Sequence, residues 1–384
     1  MVHMVPMALV AAGLALGAAA PAAVQSQEYG SADHRFRVVT VADGLEHPWS
    51  IAFLPGGDML VTERPGRLRI IRNGNLLPDP VEGVPPVFAV GQGGLFDVVP
   101  HPDFATNRLI YITFAKPQGG QESTTTVIRG RFENDRLSNV EEIFEADSRG
   151  RGHYGGRLVF SGQYMFVSVG ERMASPALLE DHPAQDPTNH HGTVNRLYHD
   201  GSVPQDNPFV GRGDIEPSIW SYGHRNPQSL ALHPQTGDLW EAEHGPFGGD
   251  EVNLIEPGNN YGWPVVGFGM NYGSGLRIHE GTLREGMESP VHVWVPSIAT
   301  SGMMIYDGSA FPGWRGSIFV GGLAGQRLSR LEMNGSVRLF DETLLFGIGR
   351  VRDVRQGPDG FIYLAIDGQG SDLTPIVRLE PVGR

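Results

Sequence analysis

Polar side chains able to do chemistry gather in seven short segments, each carrying glycine or proline. They are Gly91-Gln92-Gly93-Gly94, His153-Tyr154-Gly155-Gly156-Arg157, Tyr222-Gly223-His224-Arg225-Asn226-Pro227-Gln228, Glu243-His244-Gly245-Pro246, Gly249-Asp250-Glu251-Val252-Asn253, Asn259-Asn260-Tyr261-Gly262-Trp263-Pro264 and Gly349-Arg350-Val351-Arg352-Asp353. A histidine such as His153 exchanges a proton near neutral pH, or simply bonds a loop. Arg350 and Arg352 stand two residues apart, so strand alternation places both on one side. That pair suits a planar fork on a carboxylate, or cross-strand pairing with Asp or Glu. Asp250-Glu251 after two glycines is a weak metal motif, and Tyr261 and Trp263 offer either a stacking surface or packing.

Composition removes several other chemistries. There is no cysteine among the 384 residues, which excludes disulfides, thiolate metal sites and cysteine nucleophiles. The formal charge of −14 and the absence of a basic stripe argue against a nucleic-acid partner. An anionic ligand therefore needs a local arginine cluster.

These segments must be positioned by strands and turns. Gly (53) and Pro (29) together exceed a fifth of the chain without any collagen-like period, which means many turns. One phrase recurs: an apolar strand, a Pro/Gly/Asp turn, a second apolar strand. It reads at Trp49–Thr62, Gly94–Phe114, Arg157–Val169, Ser229–Ala242, Met303–Val320 and Val351–Ala365. Copies recur at roughly fifty to seventy residues, the spacing of blades or arrays. Each hairpin is too small to bury its own face, and closure into a ring removes exposed sheet edges. The expected fold is all-β, a six-bladed β-propeller over 27–384. The openings of successive hairpins then lie at one end, where the polar segments meet. Long insertions at Glu171–Glu216 and Gly258–Pro296 are expected to wall that end.

Residues 1–26 read as an export leader. Met7–Ala23 is a small-residue apolar run with Ala-x-Ala options near Ala20 to Ala23, although Met1–Pro6 carries no Lys or Arg. It is too short and Ala-rich to span a bilayer, so the expected location is periplasmic or secreted, with no membrane span.

The phrases HYGGRLVF, GHRNPQSLALHP, EHGPFGGDEVNLI, NNYGWP and GRVRDV resemble those of the soluble quinoprotein glucose and aldose sugar dehydrogenases. The likeness runs from about Leu45 to Leu379. Members are six-bladed propellers using pyrroloquinoline quinone (PQQ) and calcium. The resemblance implies oxidation of an aldose at C1 to the lactone, with electrons leaving to an external acceptor. It makes His153 the general base and sets Arg225 beside it in catalysis. It further implies cofactor contacts from Gln92, Arg225, Asn226, Tyr261, Arg350 and Arg352, and calcium on the carbonyls of Gly245 and Pro246.

Three stretches depart from the family pattern. The glucose enzymes carry a cofactor-binding lysine in the fifth blade's loop, whereas Gly322-Leu323-Ala324-Gly325-Gln326 has none and leaves only Arg327 nearby. The third blade shows Gly170-Glu171-Arg172 where Gly-Asp is common, and Gly192-Thr193-Val194-Asn195 preceded by His191 where Gly-Lys is common. The last two bear on sugar specificity. Two other classes remain: a calcium-dependent propeller hydrolase of lactonase type, and a non-enzymatic glycan- or protein-binding propeller.

Overall fold

The computed structural model describes residues 27–370 and 372–383, so the leader expected at 1–26 lies outside the described residues. The strands form six antiparallel sheets. The six hairpins expected from the sequence are the first two strands of the six blades. Their inner strands are Pro48–Phe53, Leu95–Pro100, Leu158–Ser161, Pro227–Leu232, Thr300–Ile305 and Arg350–Gln356. Each packs on the next, and the sixth returns to the first, which closes the ring.

Closure depends on residues far apart in sequence. Arg35–Glu46 pairs with the C-terminal strand Leu373–Pro381, so the sixth blade contains both ends of the ring. Apolar layers fill the space between neighbouring blades, as where Phe36, Trp314, Phe319 and Leu379 pack together. Among the described residues the one α-helix is the four-residue Phe104–Asn107.

The insertions are shorter than the sequence suggests. Within Glu171–Glu216 lies the third strand of blade three, Thr193–Tyr198, and within Gly258–Pro296 lies the short strand His292–Trp294. Loops remain at 171–192, 199–218 and 256–291. Bulges interrupt five inner strands near their beginnings, between Pro48/Ser50, Leu95/Val98, Pro227/Ser229, Thr300/Met303 and Val351/Asp353. Bulges bend a strand and re-aim its side chains.

Candidate active site

A cavity of about 440 Å³ opens where the inner strands begin and their partners finish. Every blade lines it: Arg64, Gln92, Tyr154, Asn226, Leu323 and Arg350 come from blades one to six in turn. A second cavity of about 220 Å³ is lined by His153, Glu171, Arg225, Pro246, Trp263 and Tyr272 among others. Adjacent residues divide between the two. His153 and Arg225 face the smaller cavity, while Tyr154 and Asn226 face the larger.

His153 is held from two sides. Its backbone sits in the left-handed region at φ 44°, and its N–H donates to Gln92 Oε1 at 2.8 Å. Its Nδ1 meets Glu171 Oε1 at 2.5 Å, while Glu171 Oε2 accepts the Ala174 N–H at 2.7 Å. Burial, followed by the charges of Arg225 and Arg172, holds the imidazole well below its ordinary pKa. It is therefore neutral. Burial pushes Glu171 up to about 7, against the opposing pull of Arg225 and His182. As a carboxylate, Glu171 accepts the Nδ1–H, and that tautomer leaves the Nε2 lone pair for the cavity.

Arg225 and Asn226 are fixed through their backbone. Glu243 Oε2 accepts both N–H groups, at 2.5 and 3.1 Å. Arg225 Nη1 donates to the carbonyls of His244 and Gly245 at 3.1 and 2.8 Å, with the guanidinium 5.1 Å from the Trp263 ring centre. Asn226 Oδ1 accepts from the Gly155 N–H and from Gln228 Nε2, which leaves its amide nitrogen for the larger cavity. Arg350 and Arg352 both line that cavity, although the bulge at Val351/Asp353 leaves Arg352 as the extra residue of the strand. Asp367 stands 3.5 and 3.6 Å from the pair.

The Gly245–Pro246 turn is braced through both of its carbonyls, each of which keeps a second lone pair. Gly245 O accepts Arg225 Nη1, and Pro246 O accepts Tyr272 Oη at 2.9 Å. Asp250 orients this turn by accepting the Gly245 N–H at 2.9 Å and the Ile298 N–H at 2.8 Å. A second donor set lies close by. His224, Glu241 and Glu243 bring ligand atoms within 4.8 Å of one another, and all three are buried. Asn253 Nδ2 lies between Glu241, Glu243 and Glu251 at 3.1, 3.5 and 3.4 Å. Burial, reinforced by the Glu243 charge, pushes Glu241 and Glu251 well above the usual carboxylate range. His224 Nδ1 and Glu241 Oε1 have no hydrogen-bond partner. Crowded carboxylates with one unsatisfied oxygen, Glu241 Oε1, suit a hard divalent cation.

Tyr261 stands apart from both cavities as a packing residue. Its ring stacks on His224 at 4.6 Å, its hydroxyl donates to Leu254 O at 2.6 Å, and it belongs to the core with Leu230 and Leu239. The stack on His224 links it to the buried Glu241–Glu243 group.

The sequence profile described as Glucose / Sorbosone dehydrogenase matches residues 45–375. The chain belongs to that family. The aldose sugar dehydrogenase YliI of Escherichia coli is 41% identical over 349 residues, 88% of this chain and 92% of its own. A solved structure named as a glucose dehydrogenase is 45% identical with a TM-score of 0.83, covering 90% of this chain and 99% of that one. A PQQ-bound aldose sugar dehydrogenase from Streptomyces coelicolor is 28% identical with a TM-score of 0.72, covering 90% and 98%.

Within this family member the three departures have distinct places. The fifth-blade loop presents only Leu323 to the larger cavity, and Arg327 turns away to Thr343 Oγ1 at 3.4 Å. Glu171 carries His153, and Arg172 clamps the same loop by donating to the carbonyls of Ser123 and Gly150 while lying 3.7 Å over Tyr154. Asn195 bonds Thr193 and Ser218 inside the third blade. His191 bonds Asn189. Glu171 was legible as a departure but not as a partner of His153, and Glu243 as part of a polar segment but not as the acceptor that fixes Arg225; Glu241 and Arg64 carried no local signal.

Proposed function

We propose that this family member is a PQQ- and calcium-dependent quinoprotein that oxidises an aldose at C1 to the lactone and passes the electrons to an external acceptor. The observation that carries the reading is the neutral His153, fixed on Glu171, beside a second, arginine-lined cavity. In the smaller cavity His153 Nε2 takes the O1–H proton of the sugar. When bound, PQQ supplies the two-electron oxidant that receives the hydride from C1. The Arg225 guanidinium and the Asn226 amide stand where negative charge develops, and fixed donors of this kind stabilise it without reorganisation. Arg350 and Arg352 suit a cofactor carboxylate, and Gln92 suits its polar edge through the free amide nitrogen.

Calcium is proposed at the Gly245 and Pro246 carbonyls, with the buried His224–Glu241–Glu243 group as a second candidate site. Binding at that second site neutralises repelling carboxylates and, through Glu243, firms the turn that carries Arg225. The leader supports a periplasmic or secreted protein, and no helix among the described residues is long and apolar enough to cross a membrane.

The test is a dye-linked assay of the purified apoprotein on several aldoses, with PQQ, calcium, both or neither. Activity only with both is the expected result. No activity under any condition, with no change in the absorbance of added PQQ, overturns the proposal.

A further inference from the structure

The larger cavity holds more cationic groups than acids. Arg64, Arg350 and Arg352 line it against the single carboxylate of Asp367. Asp367 lies near Arg350 and Arg352 and accepts His47 Nδ1 at 2.8 Å, so it balances the sixth-blade side. Arg64 lies outside this arrangement. Its hydrogen bonds run to the carbonyls of Gly91 and Gly93, at 2.5 and 3.5 Å, and it makes no ion pair with an acid among the described residues.

The backbone holds Arg64 in place before any ligand arrives. Its N–H donates to His47 O at 3.0 Å, and its carbonyl accepts the Leu95 N–H at 3.0 Å. A side chain at Gly94 would meet Arg64 O at 2.0 Å, so glycine there permits the close approach. Only Arg64 Nη1 is engaged, which leaves Nε and Nη2 for a ligand. The crowding also registers on a neighbour. Burial, reinforced by Arg350, Arg157 and Arg64, brings Arg352 down to about 10 despite Asp367.

Across the cavity the fifth blade offers Leu323 and no cation. We propose that Arg64, at the end of the first blade's second strand, is the third cationic anchor of this site, clamping a carboxylate of the cofactor in place of a fifth-blade lysine. The inference rests on the PQQ reading. A guanidinium with two free N–H groups forms a charge-assisted fork on a carboxylate, a geometry an ammonium reproduces only in part.

The test is equilibrium binding of PQQ to the metal-supplemented apoprotein, read from cofactor absorbance or quenching of protein fluorescence, with no turnover required. Arg64→Gln is expected to raise the Kd roughly 10- to 100-fold, the worth of one charged hydrogen-bonded contact. Arg64→Lys is expected to recover part of the loss, and Arg327→Gln to bind as the native chain does. Thermal melting of each apoprotein identifies any variant that fails to fold, and Arg64→Lys then carries the comparison. Tight PQQ binding by the native chain with Kd unchanged in Arg64→Gln overturns the role of Arg64 alone. Equal loss in Arg327→Gln also overturns it. No PQQ binding by the native chain overturns the cofactor reading beneath it.

Discussion

At the scale of single residues, the decisive pair is His153 and Glu171. As the proposed base, His153 needs its Nε2 lone pair, which requires an ionised Glu171 holding the Nδ1 proton. Glu171 is raised to about 7, so it is protonated below that pH and ionised above it. A protonated Glu171 donates to Nδ1 and shifts the ring proton to Nε2, where it blocks proton uptake. kcat/KM is therefore expected to rise with pH through a limb near 7. Glu171→Gln replaces the titrating acid by a neutral amide, and its pH profile is expected to lose that limb; a limb left in place assigns the titration to another group. His153 was readable because histidine beside Gly-Gly at a strand opening is a local pattern. Its partner was not, since a Gly-Glu-Arg stretch gives no sign of which loop it will meet.

Elements explain why the site is precise. Each inner strand begins at the cavity, and Asp250 fastens the Gly245 turn of blade four to the Ser297–Thr300 opening of blade five. Asp250→Ala leaves several buried N–H groups without acceptors, at about 1–3 kcal/mol for each group so stranded. A loss of about 2–4 kcal/mol is expected in chemical denaturation, together with weaker cofactor binding; a loss under ~0.5 kcal/mol contradicts the fastening role. The six hairpins were legible because strand, turn and strand lie within twenty residues. The outer strands were not. Asn75–Leu76 and His292–Trp294 are too short to show a period, and Val337–Phe346 exposes Val337, Leu339 and Phe340 against the expected alternation.

Over the whole molecule the ring is tied at its centre by charges. Arg157 is fully buried, 2.9 Å from Asp353 and 3.4 Å from Asp97, and its guanidinium lies 4.2 Å from the Trp49 ring centre. Arg355 reaches the same two acids, at 2.9 and 2.8 Å. Blades one, two, three and six thus share one network, which no local sequence pattern could reveal. Removing one partner strands buried charge, so Arg157→Leu is expected to cost about 3–5 kcal/mol in stability; a melt like the native one contradicts that role. The sequence likewise gave no sign that Arg35–Glu46 completes the sixth blade, because that pairing spans the chain. On the proposed reading the ring brings a proton acceptor and an arginine-lined cavity together, and reduction of bound PQQ in a single turnover with aldose tests this most directly. The account predicts rapid reduction in the native protein, and in His153→Ala unchanged PQQ binding with reduction slowed roughly 100- to 10,000-fold. Equal rates in the two proteins would contradict it.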